Sequence, residues 1–224
     1  SRKGPFSVGE WIMDSGAFTE ISTHGRYRSS VADYAKEITR WKANGSLLAA
    51  VAQDYMCEPF ILHKTGLSIA GHQRLTIERY DELLAASTGV YIMPVLQGYQ
   101  ASDYVDHVRA YGNRLGMGAW VGVGSVCKRN TDIAAIERVL LGIKGERPDL
   151  KLHGFGVKTT ALSSGLVQEL LETADSMAWS FNARKNGRNA NDWREAKAWS
   201  EKIQRRPVQA MLFWRFASNS CSSA

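Results

Sequence analysis

Three aspartates, Asp14, Asp54 and Asp175, each stand beside a short apolar run, and Gln97, Ser125 and Lys158 close three more such runs. Side chains of this kind can serve in three ways. One carboxylate can attack an electrophilic carbon while another manages a proton. Three together can hold Mg²⁺ for a nuclease. Each can also simply cap the helix that follows it. In AWVGVGSV, Gly122 and Gly124 remove side chains where a ligand could approach the backbone. His63, His72 and His153 with Cys57 and Cys127 show no Cys-x-x-Cys or His-x-x-x-His spacing, so no metal or other cofactor is expected.

The segments that must position these residues repeat one layout. A hydrophobic run ends in a polar residue beside Gly or Ser at Trp11–Glu20, Leu47–Asp54, Val90–Gln97, Ala119–Ser125, Leu152–Lys158 and Asp175–Phe181. Helical spacing is expected over Val31–Ala43, Ile69–Ala86, Ala101–Tyr111, Thr131–Gly142, Ser163–Glu172 and Trp193–Gln204. Thr23–Ser30 and the long Tyr55–Ser68 stretch are expected as loops, ADSMAWSF as the sixth strand, and Ala183–Asp192 as a basic, Asn-rich loop. Pro94 is awkward inside a central strand.

Strands alternating with helices imply a parallel α/β fold. Polar residues recur at the ends of many strands, where an open doubly wound sheet would gather them at one switch point, so a (β/α) TIM-type barrel is preferred. Six strands are legible where a closed barrel has eight. The barrel is therefore expected to be incomplete, truncated at its N-terminus, or completed from the tail or by a homodimer. One domain over 1–224 is expected, with a weakly patterned tail from about 205.

The chain has 28 basic and 22 acidic residues, a net charge of +6, which suits a polyanionic partner without being a cationic tail. Three widely separated cysteines point to a reducing compartment, and no apolar run reaches the ~20 residues of a membrane span. A cytoplasmic protein is expected.

The segments DSGAFTE, QDYMCEP, PVLQGY, VGVGSVCKR, LHGFGVK and ADSMAWSF, in this order, resemble the tRNA-guanine transglycosylase superfamily, most closely its branch that inserts 7-deazaguanines into DNA. The resemblance implies that Asp14, in the motif similar to DSGGFQ, is the general acid/base and that Asp175 is the nucleophile. It implies further that Asp54 and Gln97 bind the guanine edge and that Gly122, Val123 and Gly124 present backbone groups to the base. tRNA-type members carry a Cys-rich zinc site with a His after the nucleophile. Beyond Asp175 this chain has only Cys221 and no His, so no structural zinc is expected and DNA is favoured over tRNA.

Base exchange at a nucleoside needs an attacking carboxylate, a proton manager and partners for the purine, and these residues supply that inventory. A guanine in DNA must leave the stack, so single-stranded or flipped substrate is expected, with Phe18, Tyr55 or Tyr99 stacking on the base and helper proteins opening the duplex. Lys128, Arg129, Lys158, Arg184, Lys185 and Arg188 fall after strands, with Arg26, Arg28 and Lys64, and suit phosphates. Trp120, Met177 and Trp179 are expected in the core. The alternatives are a tRNA-guanine transglycosylase, a metal-dependent nuclease and an inert nucleic-acid-binding barrel.

Overall fold

The computed structural model describes residues 4–126 and 132–204. Its strands are β1 (Glu10–Met13), β2 (Ser46–Val51), β3 (Ile92–Met93), β4 (Val95–Leu96), β5 (Trp120–Val123), β6 (Lys151–Gly154) and β7 (Thr173–Ala174). Every pairing is parallel, and neighbours follow chain order: β1-β2-β3 in one sheet and β4-β5-β6-β7 in the next. Parallel neighbours in chain order require a crossover each time, and helices supply it: α1 (Ala17–His24), α2 (Val31–Trp41), α3 (Pro59–Thr65), α4 (Ile69–Ala85), α5 (Ala101–Tyr111), α6 (Ile133–Glu146), α7 (Gly165–Leu170), α8 (Ala178–Lys185) and α9 (Trp193–Gln204).

Pro94 separates β3 from β4. It brings no N–H, but its carbonyl still accepts from Gly122 N at 2.8 Å. The next residue, Val95, is served by a side chain: the Tyr111 hydroxyl accepts from Val95 N at 3.3 Å and donates to Val95 O at 3.1 Å. Two more buried tyrosines bind strand-end carbonyls, Tyr34 donating to Val51 O at 3.0 Å and Tyr104 to Gly124 O at 2.7 Å. The helices thereby fix the strand ends from which the site is built.

Alternation along the strands sorts two apolar faces. Ala50, Ala52, Ile92, Leu96, Val121, Val123 and Leu152 pack with helix residues such as Ile38, Leu83, Tyr104, Leu140 and Val167. Ala49, Val51, Met93 and Val95 form a second cluster with Ile12, Trp120 and Phe155, to which no helix contributes among the described residues. Gly122 belongs to this second face, where any added Cβ would collide with the Phe155 ring.

Several expected boundaries shift. The Tyr55–Ser68 loop contains α3, and α1 occupies the residues up to His24, just before a short turn. ADSMAWSF is not a strand: β7 ends at Ala174, and α8 begins three residues after Asp175. Its burial follows a helical period, with Ser180 and Ala183 inside and Met177 and Phe181 outside. The expected basic loop from Ala183 therefore starts inside α8. Lys128, Arg129, Cys127 and the tail from 205 lie outside the described residues. Among the described residues, no helix is long and apolar enough to cross a membrane.

Candidate active site

Asp14, Asp54, Gln97, Ser125 and Asp175 all lie just past the C-terminal ends of their strands, β1, β2, β4, β5 and β7. Functional groups on parallel α/β folds gather at that end. Asp14 is held by the turn that follows it. Its carboxylate accepts the backbone N–H groups of Ser15 and Gly16, and Gly16 takes the left-handed φ of 74° from which α1 starts.

Asp175 is anchored from β6. Its Oδ1 accepts from Gly156 N at 2.6 Å, and its backbone N–H donates to Gly154 O at 3.1 Å. His153 Nε2 stands 3.9 Å from Oδ1. That imidazole is wedged between Trp120 and Phe155, and its Nδ1 lies 2.8 Å from Thr173 Oγ1. Burial pulls the His153 pKa down to about 4, so a neutral ring faces the carboxylate.

Asp54 is the buried member of the set. Gln97 Nε2 donates to its Oδ2, and Ser15 Oγ donates to Oδ1 at 3.4 Å. Burial pushes the Asp54 carboxyl up to about 7; the Gln97 hydrogen bond opposes this, and the charges of Asp14 and Glu58 add to it. Asp14 is raised as well, chiefly by desolvation and then by the charge of Asp175; desolvation likewise raises Asp175. Both side chains are reachable by solvent at the surface. A carboxylate in a cleft can touch water and still lose most of its bulk hydration. The charge of Asp175 thus reaches Asp14, and that of Asp14 reaches Asp54.

The glycine segment makes room for its neighbours. A Cβ on Gly124 would overlap the Gln97 amide, with Gln97 Cδ 2.6 Å away. Gly122 N donates to Pro94 O, Gly124 N to Leu96 O, and Gly124 O accepts from Tyr104, while Val123 O accepts from Phe155 N at 3.2 Å. These groups are engaged within the protein.

Phe18 is 48% exposed one turn from Asp14, and Tyr99, Met177 and Phe181 are exposed on the same strand-end side. Met177 is therefore a rim residue, not the core residue expected. Tyr55 is buried against Tyr27, and Arg79 lies over both rings, so it is not placed to stack on a base. Lys158, Arg184 and Lys185 are exposed. Arg188 is bound bidentately to Glu195 at 2.6 and 3.1 Å, and Arg28 pairs with Glu20 at 2.8 Å, so part of their charge is already answered. Among the described residues, no three His, Cys, Asp or Glu side chains converge as a metal-ligand set.

A cavity of about 610 Å³ opens at the opposite, N-terminal end of the strands, lined by Leu48, Tyr91, Trp120, Lys151 and Thr173 among others. None of the three aspartates lines it; they stand at the other end of the strands. The residues not anticipated from sequence are Ser15, Glu58, His153 and the Gly156 N–H. Glu58 precedes Pro59 and looks like a helix start, yet its side chain turns inward to Ser125 Oγ at 2.9 Å.

The family model for DpdA, DeoxyPurine in DNA protein A, matches residues 2–219. The chain belongs to the DpdA family. Membership makes it an enzyme of DNA deoxypurine modification, of transglycosylase type, with DNA as substrate. No curated protein matches the chain alongside this family model. The DpdA match spans every candidate residue from Asp14 to Arg188 and agrees with the resemblance carried by the strand-end motifs.

Proposed function

We propose that the chain exchanges guanine in DNA for a 7-deazaguanine base, such as the 7-cyano or 7-amido form, through a covalent Asp175–sugar ester. The observation that carries this is the buried Asp54–Gln97 hydrogen bond, with Asp14 and Asp175 at neighbouring strand ends and the charge of Asp175 helping to raise Asp14. A purine edge and a reacting sugar need those two kinds of group side by side. Continuation of the strand order into a (β/α) TIM-type barrel fits the inner cluster around Met93 and Val95, in which no helix takes part among the described residues.

In the first step Asp175, tied through Oδ1 to Gly156, attacks C1′ with its other oxygen. The C1′–N9 bond breaks, and Asp14 hands the departing guanine its proton. In the second step Asp14 takes the proton from the incoming base, whose N9 attacks C1′ and releases the Asp175 carboxylate. Two inversions restore the original configuration. A raised Asp14 suits this exchange, since its pKa moves toward the working pH. Asp54 and Gln97 bind the base edge, Phe18 stacks on the extruded base, and Lys158, Arg184 and Lys185 hold phosphates. Lys128 and Arg129 extend the same role in sequence.

Labelled guanine offered with DNA or with tRNA, with and without a chelator, tests the assignment. Label entering DNA alone, and lost in Asp175→Ala, is the expected result. Label entering tRNA would move the substrate to the other branch of the superfamily, and DNA cleavage abolished by chelator would replace transfer with metal-dependent hydrolysis.

A further inference from the structure

The helix that follows Asp175 carries its polarity the wrong way round. A surface helix turns apolar residues inward and polar ones to water. In α8 the buried positions are Ser180 and Ala183, whereas Met177, at the N-cap, and Phe181 are 60% and 66% exposed. Phe181 N donates to Met177 O at 3.0 Å, so the two stand one turn apart. Arg184 and Lys185, also exposed, complete the stripe. At 3.6 residues per turn all four side chains fall within an arc of ~100°.

The helix dipole accounts for two cations in a last turn. It does not account for a methionine and a phenylalanine facing water while a serine and an alanine take the inner positions. Arg188, Arg194 and Lys197 nearby are bound to Glu195, Asp192 and Glu201. Among the described residues, Arg184 and Lys185 have no acidic partner.

The stripe begins at the proposed nucleophile and is fixed to it. Asp175 N donates to Gly154 O at 3.1 Å and Val157 N donates to Asp175 O at 3.0 Å, so that residue is gripped on both sides. Ser176 is buried, and its Oγ accepts from Ala178 N at 3.2 Å, which starts α8. α8 packs along α9, whose Trp199 donates to Thr159 Oγ1 at 2.9 Å and reaches the core with Ile203. Met177 and Phe181 thus hold a set place beside Asp175.

A nucleic-acid strand answers all four side chains, with phosphates for the cations and base faces for the ring, and DNA is the substrate of this family. Stacked bases follow each other at ~3.4 Å, and extruding one leaves its neighbours roughly twice as far apart. Along α8, Met177 to Phe181 and Phe181 to Lys185 are steps of ~6 Å each. That spacing suits a strand opened around a missing base.

We propose that the outer face of α8 is a subsite for single-stranded DNA next to the extruded guanine: Phe181 stacks on the adjacent base, and Arg184 and Lys185 hold the phosphates beyond it. Met177 fills the space between that base and the guanine site. This rests on the reading above, in which the guanine leaves the stack to reach Asp175. Every base has a face to stack on, so the subsite adds affinity with little choice of sequence.

Fluorescence anisotropy tests it with a labelled single strand containing one guanine, and with the same strand made abasic at the 5′ or at the 3′ neighbour of that guanine. Phe181→Ala weakens binding of the intact strand by about tenfold. Removing the neighbouring base on one side costs the unaltered chain the same factor, and costs Phe181→Ala nothing further. Phe181→Trp keeps both the affinity and its dependence on that base. Arg184→Gln combined with Lys185→Gln weakens intact and abasic strands alike and lowers the salt slope by about 1.4. Equal losses on removing the neighbour in the unaltered chain and in Phe181→Ala overturn the proposal, as does absence of binding to any strand. A lower melting temperature in Phe181→Ala with unchanged DNA affinity would assign this face to another part of the chain or to a second copy, and also overturns it. Coupling between Phe181 and the neighbouring base in a protein that exchanges no guanine would support the subsite and overturn the transglycosylase reading; guanine exchange without that coupling would do the reverse.

Discussion

Gln97 Nε2 donates to Asp54 Oδ2 across the gap between the ends of β4 and β2. The contact exists because Gly124, just past the end of β5, leaves the space in which the Gln97 amide lies. Gly124→Ala adds a methyl group against an amide that is already bound on both sides, by Asp54 and by Ser125. The amide must move, and the base edge loses the partner proposed for it. A loss of about tenfold to a hundredfold in kcat/KM for base exchange is expected, with a stability cost of ~1–3 kcal/mol from overpacking. Parallel kinetics and chemical denaturation check it; an alanine variant with unaltered kinetics would separate Gln97 from base binding.

The pH dependence of stability carries the signature of Asp54. Its folded-state pKa, about 7, lies above the unfolded value of 3.8, so the folded protein holds the extra proton between those limits. Stability from this group is fully present below about pH 4 and is lost as pH rises through about 7. Asp54→Asn removes that fall. Melting temperatures across this window test the assignment, and a fall of the same size in the asparagine variant would place the titrating group elsewhere.

Tyr111 serves both backbone groups of Val95 beside the Pro94 break. Tyr111→Phe leaves a buried N–H and a buried carbonyl without this partner, which costs ~1–3 kcal/mol. The expected outcome is a lower denaturation midpoint with little change in the denaturant slope, and active-site kinetics affected only through stability.

The parallel order, the strand ends and most long helices are legible in the residues because their signals are local. Leu47–Val51 is continuously apolar, Ala101–Tyr111 has helical spacing, and each run stops at a polar residue. Short elements escaped for physical reasons. α3 spans seven residues between Glu58-Pro59 and Gly66, a length too small for amphipathic periodicity to stand out. β7 is two residues long, and the apolar residues after Asp175 that suggest a strand form an exposed helical rim at Met177 and Phe181. Asp14, Asp54 and Asp175 could be singled out by position, but the contacts among their supports could not. Glu58 and Ser125 are 67 residues apart, and only the fold brings them together.

The most direct measurement is the trapping of a covalent protein–DNA adduct by denaturing electrophoresis, with mass spectrometry of the linked peptide, in the absence of incoming base. The proposed mechanism predicts an adduct on the peptide containing Asp175, absent in Asp175→Asn and discharged when a 7-deazaguanine base is added. Exchange that proceeds in Asp175→Asn, or an adduct on any other residue, would contradict it.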